Sequence, residues 1–146
     1  MSEVWYLVDN NVLIKLKSAQ RASTFFRDNC WIPSEVLHEA RGFPDIAVLR
    51  ELEYPMTARI LEFVNDVMKT VAPGDFKLVD LYRNVGNADP ILVATALDAI
   101  RKADETLFKQ DWQIATDDGV LRMKAAEFGI GTLSFKEFLT VVSKAR

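Results

Sequence analysis

Apolar positions recur along the chain with two periods. Val4-Trp5-Tyr6-Leu7-Val8 is an unbroken apolar run of strand length, the pattern of a parallel strand buried on both faces. It stops at Asp9-Asn10-Asn11, and Val12 to Leu16 starts a helical pattern. Cys30-Trp31-Ile32-Pro33 predicts a second strand. Ser34 is placed to cap a helix over Glu35 to Arg41, which Gly42 and Pro44 end. Ile60, Leu61, Val64, Val67, Met68 and Val71 fall on one helical face between Pro55 and Pro73-Gly74. Phe76 to Val79 reads as a short strand or loop. Asn87 to Ile100 reads as a helix with a stripe of Ile91, Leu92, Thr95, Ala96, Ala99 and Ile100. Trp112 to Ala115 predicts a strand before Thr116-Asp117-Asp118. A helix from Gly119 to Phe128 closes at Gly129, a strand spans Gly131 to Ser134, and a last helix spans Phe135 to Ala145.

This alternation predicts a single α/β domain over residues 1–146, a three-layer α/β/α sandwich with a mainly parallel four- or five-stranded sheet. Sites in such sheets form beyond the carboxyl ends of the strands. Asp9 stands at one such end and Asp117 and Asp118 at another. Asp89 precedes Pro90 at the start of a helix. Singly, each of these acids reads as a helix cap or turn residue, and Glu39 as an exposed helical side chain. Jointly, strand-end and helix-start carboxylates gather at one edge, where they repel one another unless a cation holds them.

Composition narrows the chemistry. One cysteine, Cys30, and one histidine, His38, exclude an internal disulfide, a cysteine zinc site and a multi-histidine metal site. Cys30 is expected to be a small buried apolar residue and His38 a surface one. Hard cations such as Mg²⁺ and Mn²⁺ take oxygen ligands, so an all-oxygen site is the consistent choice. The net charge of −3 argues against nucleic-acid binding unless metal cancels part of it locally. A P-loop is absent. There is no apolar run of membrane-spanning length and no secretory leader pattern, so a cytoplasmic protein is expected.

Four motifs, spread over nearly the whole chain, resemble the PIN-domain ribonuclease family. They are Leu7 to Ile14 around Asp9-Asn10-Asn11, Ile32 to Gly42 with an acid six positions after Pro33, Gly86 to Ala96 around Ala88-Asp89, and Ile114 to Leu121 around Thr116-Asp117-Asp118. The spacing in the second selects Glu39 over Glu35. The T-x-D spacing in the fourth favours Asp118 over Asp117. Asn87 stands where many members carry a further Glu.

The resemblance implies metal-dependent endoribonuclease activity on RNA. It assigns Asp9, Glu39, Asp89 and Asp118 as the acids, with Asp9, Asp89 and Asp118 as ligands to Mg²⁺ or Mn²⁺. Asn11, Thr116 and Asp117 would support them or touch substrate, and Lys15, Lys17, Arg41 and Arg83 are candidates to meet the substrate backbone. Small single-domain members include toxins of toxin–antitoxin pairs, commonly homodimers inhibited by an antitoxin, which implies those partners here. The competing expectations are a catalytically degenerate PIN fold that binds RNA or protein, and an α/β phosphohydrolase or phosphotransfer receiver, which also uses Asp at strand ends. The receiver is disfavoured by Asn10-Asn11 and the lack of a fitting Lys.

Overall fold

The computed structural model describes residues 3–74, 88–107 and 110–145, and the side chains of residues 88 and 89 lie outside that description. The expected strand at Phe76 to Val79, Asn87 and Arg83 also lie outside it. The strands are β1 (Glu3–Val8), β2 (Cys30–Pro33), β3 (Glu53–Tyr54), β4 (Gln110–Ala115) and β5 (Gly131–Leu133). They form one parallel sheet in the order β3-β2-β1-β4-β5. The helices are α1 (Asn10–Leu13), α2 (Ser18–Arg21), α3 (Thr24–Asn29), α4 (Ser34–Glu39), α5 (Ile46–Leu49), α6 (Ala58–Met68), α7 (Ala88–Asp104), α8 (Gly119–Glu127) and α9 (Phe135–Lys144), with a 3₁₀ turn at Arg50–Leu52. The expected α/β/α sandwich is therefore present, with five strands.

β1 is central, paired with β2 and β4 in registers such as Leu7 with Trp31 and Trp5 with Trp112. A strand flanked on both sides and covered on both faces has no place for a polar side chain, which is why its apolar run is unbroken. Alternation sends Tyr6 to one face, where it meets Phe25 of α3 and Phe138 of α9 at centroid distances of 6.0 and 5.4 Å. Trp5 faces the other way, into a cluster with Trp31, Trp112 and Tyr54. The C-terminal half of α7 covers this cluster. The aromatic rings and Ala99, Lys102 and Ala103 line a cavity of about 400 Å³ at the amino end of the strands. Beneath it Asp98, fully buried, accepts the Tyr54 hydroxyl at 2.7 Å and pairs with Lys102 at 3.1 Å and Arg59 at 3.4 Å.

Several local expectations need correction. The helix expected to start at Glu35 begins one residue earlier, and Pro33 occupies the cap position. Ser34 accepts instead from the Met56 N–H at 3.2 Å and donates to the Tyr54 carbonyl at 3.4 Å, which pins β3 beside β2. On α6 the buried stripe is Ile60 and Val67, and Leu61 and Met68 are exposed because the helix meets α7 along a narrow line. The short helices α2, α3 and α5 and the two-residue β3 are too short for a period to show. Cys30 is buried and His38 exposed. Gly129 has φ +74°, the left-handed conformation a residue just past a helix end takes at least cost when it is Gly. Among the described residues no helix is long and apolar enough to cross a membrane.

Candidate functional site

The site is built where β1 and β4 end side by side. The ladder runs past the last strand residues: the Asp9 N–H donates to the Ala115 carbonyl at 3.0 Å, and the Thr116 N–H to the Leu133 carbonyl at 2.9 Å. Asp9 and Thr116 therefore lie next to each other at the carboxyl edge. Asp9 is 5% exposed and caps α1, its Oδ1 accepting from the Asn10 N–H at 2.7 Å. Its Oδ2 accepts from the Thr116 hydroxyl at 2.8 Å and from Asn11 Nδ2 at 3.2 Å. Asn11 Nδ2 also donates to Thr116 Oγ1 at 3.3 Å, and Thr116 Oγ1 accepts from the Asp118 N–H at 3.1 Å. One hydroxyl thus connects the Asp9 carboxylate to the turn bearing Asp118. A carboxylate has about four lone-pair directions; three of Asp9's are used, which leaves it able to accept once more.

The paired aspartates have different work. The Asp117 carboxylate is taken by the Lys15 ammonium and by the Phe135 N–H, the latter at 2.7 Å. The Lys15 bond holds it below the usual carboxylate range, with help from Phe135. Asp118 caps α8, its Oδ1 accepting from the Val120 and Leu121 N–H groups at 2.9 and 3.2 Å. Its other oxygen makes no hydrogen bond among the described residues. Lys15, one of the groups expected to meet substrate, is therefore engaged by Asp117.

Glu39 closes α4, which touches α1. It has no hydrogen bond or ion pair among the described residues. Its side chain is exposed, and what desolvation it has on the α1 side pushes its pKa up, the charges of Asp9 and Glu35 pushing it further. Asp9 is also held above the usual carboxylate range, chiefly by burial and then by Asp118 and Asp117, against the lowering effect of Thr116 and the Asn10 N–H. Asp9, Glu39 and Asp118 thus form a neighbourhood of like charges, none of them paired with a cation among the described residues. The fourth expected acid, Asp89, stands in the first turn of α7, and its side chain lies outside the described residues. α7 leads into β4 at its amino end, so the helix runs antiparallel to the strands and starts at the carboxyl edge. Among the described side chains no three acids, His or Cys close into a ready-made metal cage. The donor set is nevertheless all oxygen, with free acceptor capacity on Asp9, Glu39 and Asp118, and it suits a hard dication.

Reading the sequence alone missed the Lys15–Asp117 pair and the buried Asp98 cluster. The second had a signal: Asp98 falls among the apolar positions of α7, where an acid must find partners. Scans against known protein families and against curated proteins find no match for this chain.

The carboxylates give a pH prediction with a definite sign. Asp9 and Glu39 bind protons more tightly in the folded than in the unfolded chain. Their contribution favours folding at acidic pH and is lost as pH rises from the ordinary carboxylate range, about 4, through their raised values. Asp45 and Asp117 act oppositely; their contribution is present above the ordinary value and is lost as pH falls through their lowered values. In EDTA, melting temperature should therefore fall as pH is raised above the ordinary carboxylate range, and the decline should shrink in Asp9→Asn. A melting temperature that climbs with that rise in the wild type would contradict the assignment.

Proposed function

We propose that this chain is a metal-dependent endoribonuclease of the PIN-domain type, acting at the edge formed by Asp9, Glu39, Asp89 and Asp118. The observation that supports it most is the group of mutually repelling carboxylates, Asp9, Glu39 and Asp118, that no side-chain cation among the described residues neutralises. Such a group is costly unless something positive is bound there. Asp9, Asp89 and Asp118 would hold Mg²⁺ or Mn²⁺, which when bound polarises the scissile phosphate and lowers the pKa of water.

The protein's own groups have separable roles in this proposal. Thr116, Asn11 and the Asn10 N–H fix the direction of the Asp9 carboxylate, so it need not reorganise during the reaction. Asp118 presents its unbonded oxygen while its other oxygen anchors α8. Glu39, which has no competing partner among the described residues, takes the proton from the attacking water at its carboxylate, where a raised proton affinity favours acceptance. The water oxygen bonds to phosphorus, the bond to the leaving ribose oxygen breaks, and that oxygen takes up a proton. The motif resemblance extends the proposal to a toxin role in the cytoplasm, as a homodimer restrained by an antitoxin.

The test uses labelled single-stranded RNA and purified protein. Cleavage should be absent in EDTA and return with Mn²⁺ or Mg²⁺. Equal cleavage in EDTA, or none with either metal, would refute it.

A further inference from the structure

Arg21, Arg59 and Arg122 each lie against a carboxylate. Arg41 and Arg50 differ: among the described residues neither makes an ion pair, and both are exposed. The Arg41 guanidinium donates to the His38 carbonyl at 2.7 Å, which holds it against the end of α4. Arg50 opens the 3₁₀ turn that precedes β3. Although the stretch from Gly42 to Leu49 separates them in the chain, they line one cleft of about 350 Å³ with Ser34, Leu37, His38 and Glu53. Two arginines and one acid, Glu53, are among its lining residues.

The position of the cleft gives it meaning. α4 starts where β2 ends and finishes at Glu39. Ser34, Leu37, His38 and Arg41 recur at helical spacing along one side of α4, so the cleft and Glu39 share this helix but lie on different sides of it. Elsewhere the chain works against an anionic ligand: its net charge is −3 and Lys15 is engaged by Asp117. A guanidinium fork suits phosphate oxygens and is already fully charged, so it needs no metal to attract them.

We infer that the Arg41–Arg50 cleft holds a backbone phosphate of the nucleic-acid strand that presents another of its phosphates to Asp9 and Glu39. The inference rests on the nuclease reading for the identity of the strand. Arg27 and Arg101 are also exposed and unpaired among the described residues, but they lie outside the cleft and serve as a control.

The experiment measures binding of a labelled single-stranded oligoribonucleotide by fluorescence anisotropy in EDTA over a range of salt. Arg41→Ala with Arg50→Ala should weaken binding at least about tenfold. The same variant should flatten the plot of log affinity against log salt by about 1 for each phosphate no longer neutralised. Arg27→Ala with Arg101→Ala should change neither. Equal loss in both pairs, no loss in the first, or no binding by the wild type would overturn the cleft assignment. Cleavage in Mn²⁺ is scored separately. RNA bound through Arg41 and Arg50 but never cut would refute the nuclease and leave the cleft. RNA cut by the double variant with unchanged KM would refute the cleft and leave the nuclease.

Discussion

Asp9→Asn is expected to lower metal-dependent RNA cleavage by about a thousandfold or more, on the order of 4 kcal/mol of transition-state stabilisation. The proposed site depends on Asp9 more than on any other described acid. It lies deepest, it is held by three donors, and its charge reaches both Glu39 and Asp118. Asparagine keeps the size and one acceptor oxygen, so the Asn10 N–H can still be capped and the backbone turn should persist. What it removes is the negative charge. Initial rates with RNA in excess, alongside circular dichroism of both proteins, separate lost chemistry from lost fold. A folded Asp9→Asn protein that cuts at the wild-type rate would remove Asp9 from the mechanism.

The second large effect is structural. Arg21 is nearly buried and forms a two-pronged pair with Asp45, Nε to Oδ2 at 2.9 Å and Nη2 to Oδ1 at 3.0 Å. Its Nη1 also donates to the carbonyls of Leu13 and Leu16 at 2.8 and 2.6 Å. Those carbonyls belong to the end of α1 and the turn after it, where the chain leaves the Asp9-Asn10-Asn11 segment. The guanidinium also lies over the Phe43 ring, 5.0 Å from its centroid. Arg21→Met should cost about 3–5 kcal/mol, because it strands a partly buried carboxylate and two carbonyls together. Melting temperature should fall by roughly 10 °C or more. Urea denaturation of the two proteins measures it, and a loss below about 1 kcal/mol would show that water replaces the guanidinium at little cost.

The parts of the fold that could be read in advance were those with a long apolar signal. β1 was legible because five successive apolar residues admit few other uses, and α7 because its apolar stripe persists over several turns. The stretch from Lys17 to Asn29 was not, since α2 and α3 are held by caps such as Ser23 and by the buried Arg21, not by an apolar stripe. At the site, the positions of Asp9 and Thr116 followed from strand ends in a parallel sheet. The division of labour between Asp117 and Asp118 did not, because it depends on Lys15 and Phe135, 102 and 18 residues away in the chain. Spacing gave the preference for Asp118, whereas the geometry supplies a reason for it: Asp117 is already paired. The cleft of Arg41 and Arg50 was only half visible, for Arg50 joins it through β3, a two-residue strand that leaves no pattern.

The central claim is that the carboxylates around Asp9 bind a hard dication. Thermal melting at neutral pH, with Mn²⁺ raised from zero to saturation, tests it without assuming any reaction. At a hundredfold excess over Kd a single site adds about 2.7 kcal/mol, so the wild type should gain roughly 5–10 °C and Asp9→Asn little or nothing. Equal shifts in the two proteins, or no shift in the wild type, would contradict it.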